Sequence, residues 1–447
     1  MIVDLVLENA KAYICQEILG CSIAIDQGRI FKIGKETNMP KTDQKIDLKN
    51  LLVLPGLIDA HVHLRDEGKS YKEDFYSGTA AAAVGGITTV LDMPNNAPVT
   101  MSAETLRNRM KIAEKKIVVN VGFFSEFPKE LGETKEIVAK GAVAFKLFLA
   151  DQVGGLNIDD DQALKTAFRG TSKFKVPVAV HAEDRMLSKK TEEFRRTFSS
   201  DVDAFLEVHS EASEVRAIER VLAISKQTSA HIHFCHVSTS NGLKAITDAK
   251  KSNMTITCEV TPHHLFLSVD DFKRCGTLAL TMPPIRAKHQ VEALWNGVFN
   301  GDIDILVSDH APHALEEKSS SNVWDVKVGI PGLETTLPLL LAMVKKAKLS
   351  ITHVVRLLAE KPADIFNLKG RGYLKEGNHA DLVVIDLNKK FKIDASKFYS
   401  KAKYSPFDGW NTIGKAVKTF VNGQLIMDDD EIVAKSGTGK VIGENKL

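Results

Sequence analysis

The stretch Leu51-Leu52-Val53-Leu54-Pro55-Gly56-Leu57-Ile58-Asp59-Ala60-His61-Val62-His63-Leu64 is apolar at almost every position until it reaches two histidines. A continuous apolar run reads as a strand covered on both faces, as in a parallel sheet, and lacks the alternation of a half-solvated strand. Similar runs recur outward along the chain at 86–93, 117–124, 143–149, 176–182, 231–237, 254–260 and 303–307. Between them, apolar residues fall at helical spacing over 76–84, 103–115, 130–140, 159–168, 203–225 and 241–250. Eight strands alternating with helices predict an α/β protein built on a parallel (β/α)8 barrel. In such a barrel the C-terminal strand ends line the reaction site, so chemistry is expected where each run stops.

The flanking segments have a different pattern. Short alternating runs at 3–7, 22–25 and 29–33 are broken by Gly20 and by Asp26-Gln27-Gly28, while 380–386 and 416–425 read as strands, the second entering a tight turn at Asn422-Gly423. The two ends are predicted to pair into one small β-sandwich, with 1–53 and 371–447 as its halves and the barrel at 54–370.

Composition narrows the function. With 59 Lys+Arg against 57 Asp+Glu the net charge is +2, too weak a field to favour nucleic acid or an acidic membrane. A hydrophobic fraction of 44% and a charged fraction of 26% are those of an ordinary globular chain, leaving a small-molecule substrate as the expected partner. The longest apolar stretches, such as 337–344, are too short to span a bilayer, and the acidic start Met1-Ile2-Val3-Asp4-Leu5-Val6-Leu7-Glu8 lacks the basic region of an export signal. Cys15, Cys21, Cys235, Cys258 and Cys275 form no Cys-x-x-Cys pair, which points to a reducing cytoplasm. After the eighth run, Ser319-Ser320-Ser321 reads as a loop, either a lid or an ordinary solvated connection.

His61 and His63 end the first strand two residues apart, so both imidazoles face the same side and can meet one cation. Taken singly, a histidine here reads equally well as a hydrogen-bonded core residue, and Asp309 as a turn cap. Repetition decides the matter: His181 ends the fifth run, His236 lies near the end of the sixth and Asp309 follows the eighth, so all five converge on one mouth. Imidazole and carboxylate ligands suit Zn2+ and related divalent ions. Two adjacent cations would need an anionic bridge, and the fourth strand offers Lys146 in Ala144-Phe145-Lys146-Leu147-Phe148. A free ammonium has no lone pair to give; carbamylation by CO2 would turn it into an anion with an oxygen for each metal.

The ordered series Pro55-Gly56-Leu57-Ile58-Asp59-Ala60-His61-Val62-His63-Leu64-Arg65-Asp66, Asp92-Met93-Pro94-Asn95-Asn96, His236-Val237-Ser238-Thr239, Glu259-Val260-Thr261-Pro262-His263-His264-Leu265, Ser308-Asp309-His310-Ala311-Pro312-His313 and Gly329-Ile330-Pro331-Gly332-Leu333-Glu334-Thr335 resembles the amidohydrolase superfamily, specifically its dihydroorotases. The resemblance implies a distorted (β/α)8 TIM-like barrel with a β-sandwich built from both termini. It implies two Zn2+ ions, one on His61, His63 and Asp309, the other on His181 and His236, bridged by carbamylated Lys146 and a hydroxide. The implied reaction is the reversible cyclisation of N-carbamoyl-L-aspartate to L-dihydroorotate, with Asp309 as general acid and base. Arg65, Asn95 and His313 would hold the substrate carboxylate. The bland reading of Arg65 is an ion pair with Asp66 or Glu67.

Dihydropyrimidinases or hydantoinases and allantoinases share the metal set and are the rival activities. A rival of another class is a silent scaffold for aspartate transcarbamoylase, which, with a homodimer, completes the partners the resemblance suggests. Departures from the family pattern are Met282-Pro283-Pro284 in place of Asn-Pro-Pro and Glu67 in place of Pro. Asp151 is the alternative ligand should Lys146 not serve. Cys235 and Glu259 stand where relatives place a further metal or supporting contacts, and Cys258 and Cys275 read as buried apolar residues. One of His263 and His264 is expected in the pocket and the other in a structural role, and His209, His289, His353 and His379 are expected on the surface or on helices.

Overall fold

The run 51–64 is not one strand but two, and the division falls at Gly56. The computed structural model describes residues 2–196 and 201–443. Before Gly56 lie β1 (Leu5–Ile14), β2 (Glu17–Asp26), β3 (Arg29–Gly34), β4 (Lys45–Asp47) and β5 (Leu52–Pro55). After it come β6 (Leu57–Val62), β7 (Ile87–Asp92), β8 (Asn120–Glu126), β9 (Ala142–Phe148), β10 (Val178–His181), β11 (Ile232–Phe234), β12 (Ile256–Val260) and β13 (Ile305–Leu306). The chain ends with β14 (Leu382–Lys392), β15 (Asn411–Val421), β16 (Gln424–Asp428), β17 (Glu431–Ile432) and β18 (Val441–Ile442). Gly56 is needed at the crossing, because a Cβ there would sit 2.2 Å from Thr88 Oγ1 and 2.9 Å from the Asp381 carbonyl carbon.

Strands β6 to β13 are parallel neighbours in sequence order, the eight-stranded barrel that the apolar runs predict. All residues of β6, β7, β8, β10, β11 and β13 are buried, which is why those runs carry no alternation. The barrel closes where the chain beyond β13 meets β6: His63 N donates to His310 O at 2.8 Å, and Ser308 N to the Asp59 carboxylate at 3.1 and 3.2 Å. The terminal strands form a second sheet in the order β17-β16-β15-β14-β5-β1-β2-β3, with β4 beside β1. Along β14 the two-residue alternation divides the side chains between two cores, Leu382 and Val384 in that of the terminal sheet, Val383 and Ile385 in that of the barrel. The chain end then returns to the barrel, where β18 pairs in parallel with β8.

Helices fill the gaps with some departures from the spacing. The stretch 203–225 is two helices, Val202–Val208 and Glu211–Ser225, because the Ser210 hydroxyl accepts from Ser213 N and starts a new helix there. Within 130–140 only Thr134–Ala139 is α-helical, and Arg185–Arg196, Lys288–Asn300 and Thr336–Lys345 are helices the spacing alone did not mark. Among the described residues no helix is long and apolar enough to cross a membrane. The serine-rich loop after β13 is pinned at its base by Lys318, fully buried, whose Nζ donates to Leu280 O, Lys327 O and Gly329 O at 3.0–3.1 Å.

Asp381 joins the two units. Its carboxylate pairs with buried Arg371, accepts from Asn422 N at 2.7 Å and from Asn120 Nδ2 at 3.2 Å, and its carbonyl accepts from Gly56 N at 2.8 Å. Asp381→Ala would strand the Arg371 guanidinium in the interior, a loss of about 3–5 kcal/mol expected from removing one partner of a buried pair. Urea unfolding should show the midpoint falling accordingly, while Asp248→Ala, which breaks a solvated pair with Lys244, should leave it unmoved.

Candidate metal centre

The predicted ligands come from the ends of four barrel strands and from the body of β9. His61 is on β6 and His63 just past it; Lys146 is on β9, His181 closes β10, His236 lies two residues past β11 and Asp309 three past β13. Both His236 (φ 34°) and Asp309 (φ 45°) hold left-handed backbone, and so does Arg65 (φ 58°). Each such residue costs of order 1–3 kcal/mol, a cost met by the surrounding packing. His61, His63 and Asp309 bring their ligand atoms within 4.8 Å of one another, as do His61, Cys235 and His236. Asp309 Oδ1 is 3.5 Å from His61 Nε2 and 3.4 Å from His63 Nε2, and His181 Nδ1 is 3.1 Å from His236 Nε2.

The outer side of the rings decides what faces inward. His61 Nδ1–H donates to Glu259 Oε1 at 2.5 Å, His63 Nδ1–H to Asn95 Oδ1 at 2.7 Å and His181 Nε2–H to Glu183 Oε2 at 2.7 Å. A neutral imidazole has one proton, so His61 Nε2, His63 Nε2 and His181 Nδ1 present lone pairs to the centre. Burial holds His61 below its ordinary value, with Lys146 adding to the effect, and holds His63 and His236 well below theirs, with Arg65 and His181 respectively as the next cause. Burial raises the Asp309 carboxyl. For Glu259 burial works upward, but His61 and His233 outweigh it and hold the carboxyl well below the usual carboxylate range. Acceptors that converge without a proton to share fit a cation: ligand bonds of about 2.1 Å at tetrahedral angles put ligand atoms about 3.4 Å apart.

Lys146 is fully buried on β9, and its Nζ donates to Cys235 Sγ at 3.0 Å; among the described residues no carboxylate pairs with it. Asp151, the alternative, is exposed.

The three residues expected around a substrate carboxylate flank the metal ligands. Asn95 is already engaged by His63 through Oδ1. Arg65 is buried, its Nε finds no acceptor, and its Nη2 lies 3.5 Å from His313 Nε2. The surface ion pair is not formed: Asp66 pairs with Lys116 at 2.7 Å and Glu67 with Arg109 at 3.6 Å. His313 Nε2 contacts Val328 O at 3.0 Å, and Lys72 Nζ contacts its Nδ1 at 3.0 Å.

Glu183, His209 and His233 were not foreseen as neighbours of the centre. Glu183 spans His181 and His209, whose Nδ1–H donates at 2.9 Å, so His209 supports the site and is not a plain helix or surface residue. His233 holds the second oxygen of Glu259 at 2.9 Å, and the first oxygen also accepts from His236 N at 3.1 Å. Glu259 is thus fully used in orienting ligands. Of the pair after β12, His264 is structural, bound to Thr261 Oγ1 and Pro283 O, whereas His263 Nε2 is buried without a partner. Glu183 two residues beyond His181 was the one available signal in the sequence.

A family model described as the amidohydrolase family matches residues 52–426. The chain is 39% identical over 437 residues to a dihydroorotase of Methanothermobacter thermautotrophicus, covering 97% of this chain and 96% of that protein. It is 37% identical to a dihydroorotase of Pyrococcus horikoshii, covering 99% and 96%. Among solved structures, an L-hydantoinase (dihydropyrimidinase) from Arthrobacter aurescens aligns with a TM-score of 0.95 at 30% identity, over 99% of this chain and 100% of that one.

Glu259→Gln replaces one acceptor of the Glu259 carboxylate by a donor and frees the His61 tautomer. Metal affinity, read by competition with a chromophoric chelator, should fall about 10–100-fold with the fold retained by circular dichroism.

Proposed function

The chain belongs to the amidohydrolase family, and on that premise we propose that it is a zinc-dependent dihydroorotase, interconverting N-carbamoyl-L-aspartate and L-dihydroorotate in the cytoplasmic synthesis of pyrimidines. The observation that carries this reading is Arg65: a buried guanidinium with an orphaned Nε, facing the His313 ring, with no carboxylate of the described residues in ion-pair contact. An anion from outside would complete it, and a carboxylate accepting from Arg65 and His313 together matches the exocyclic group of dihydroorotate. The rings of dihydrouracil and hydantoin have no such group. The hydantoinase resemblance among solved structures reflects the shared fold, and Arg65 favours the dihydroorotase reading over it.

His61, His63 and Asp309 would hold one cation, His181 and His236 the other, with Lys146 as its carbamate between them. When bound, the pair supplies Lewis acidity to a water and to the ring amide carbonyl. Asp309 takes the proton of the attacking water as the carbon–oxygen bond forms and delivers it to the ring nitrogen as the carbon–nitrogen bond breaks; in cyclisation the order reverses. Arg65, Asn95 and His313 hold the carboxylate so that the scissile amide meets the attacking oxygen. The free cysteines accord with the reducing compartment.

Arg65→Met should lower kcat/KM for dihydroorotate about 100-fold, or ~2.7 kcal/mol, as expected for charge-assisted hydrogen bonds. Turnover of dihydrouracil, hydantoin and allantoin, followed by ultraviolet absorbance, should stay negligible throughout; wild-type turnover of one of these rings and not of dihydroorotate would move the chain to the sister activity. Lys146→Ala should lose bound zinc, measured by atomic absorption, and regain part of it with short carboxylic acids; two tightly held ions in that variant would place the bridge elsewhere.

A further inference from the structure

The segment Arg65-Asp66-Glu67-Gly68-Lys69-Ser70-Tyr71-Lys72-Glu73 leaves the first barrel strand and carries one substrate contact, Arg65, directly. It also fastens the other two. Lys69 Nζ donates to Asn95 O at 2.9 Å, and Lys72 Nζ donates to His313 Nδ1 at 3.0 Å. The Lys72 head group is nearly buried, with 8% of the side chain exposed, and its second partner is Glu317 Oε1 at 2.8 Å.

An ammonium only donates, so its contact with Nδ1 requires a lone pair there and puts the ring proton on Nε2. That proton points to Val328 O at 3.0 Å, on the side where Arg65 Nη2 stands 3.5 Å away. With Val328 O the acceptor already there, a carboxylate seated against Arg65 Nη2 would share the Nε2 proton with that carbonyl. The opposing influence is also present. Glu317 Oε2 lies 3.6 Å from His313 Nδ1 and would draw the proton to that side if Lys72 did not occupy it. His313 would then turn a bare lone pair toward the substrate carboxylate and repel it.

We propose that Lys72 is a positioning residue that determines specificity for the carboxylate-bearing ring: by donating to His313 Nδ1 it keeps the proton on Nε2 and keeps His313 a donor beside Arg65. The inference rests on the dihydroorotase reading for its substrate and on the structure alone for its tautomer. The experiment therefore has two arms on the full-length, zinc-loaded enzyme.

In the first, long-range nitrogen–proton NMR of 15N-histidine-labelled protein, assigned with His313→Gln, reads the ring. The Nε2–H form is expected in wild type and in Lys72→Arg, the Nδ1–H form in Lys72→Met, and Nε2–H again in Lys72→Met/Glu317→Gln. In the second, Lys72→Met should raise KM for dihydroorotate about tenfold with kcat changed less than about twofold, the scale of one weakened hydrogen bond to a charged group, and Lys72→Arg or the double variant should restore it. An Nδ1–H ring in the wild type overturns the proposal before any variant is made. So does a Lys72→Met enzyme that keeps Nε2–H, or one in which kcat falls as steeply as KM rises. A wild type that ignores dihydroorotate would instead defeat the dihydroorotase reading, with the NMR arm still deciding the Lys72–His313 link.

Discussion

Closure of the barrel between its first and last strands is the constraint on which the rest depends. His61 and His63 leave β6, Asp309 follows β13, and some 250 residues of chain lie between them. They meet because His63 N donates to His310 O, because Val62 and His310 form a bridge, and because the Asp59 carboxylate receives Ser308 N. Burial pushes the Asp59 carboxyl up to about 7, so these donors are what make a carboxylate tolerable at the seam. Left-handed backbone at Asp309 turns its side chain back across that seam toward the two imidazoles.

A second layer of buried carboxylates gives the centre its chemical character. Glu259 and Glu183 do not point at the centre; each spans two imidazoles and thereby decides which ring nitrogen carries a proton. Burying an unpaired carboxylate would be costly, and sharing it among donors offsets most of that cost. Glu73 plays the corresponding part behind the last strand, where it is fully buried and accepts from His310 Nε2, Ser400 Oγ, Ser77 Oγ and Lys401 N, which ties the C-terminal segment to the residue next to Asp309. The result is a cluster of inward lone pairs beside a buried guanidinium whose Nε has no acceptor.

Much of this was legible in the residues. Apolar runs without alternation announced strands buried on both faces, and histidines and an aspartate at the ends of those runs announced a common mouth. Local pattern failed where a choice was made by something distant. The apolar pattern of 51–64 does not show where the run divides: the boundary read at 53/54 lies at Gly56, where Thr88 and Asp381 leave no room for a side chain. His209 looked like any helix-end histidine, and its role exists only because Glu183 lies 2.9 Å away. Arg65 had acidic neighbours in sequence, but Arg109 on the helix Ala103–Glu114 and Lys116 just beyond it hold those acids, so neither pairs with Arg65.

The sequence by itself determined the order of strands, the residue types at their ends and hence the kind of chemistry, since burial and side-chain periodicity are properties of neighbouring residues along the chain. Only the tertiary structure decided which nitrogen of each imidazole faces the centre, which cations remain without a counter-ion and how His313 is held by Lys72. Those outcomes depend on which donor or acceptor stands within about 3 Å, a distance set by packing between segments that the chain order leaves far apart.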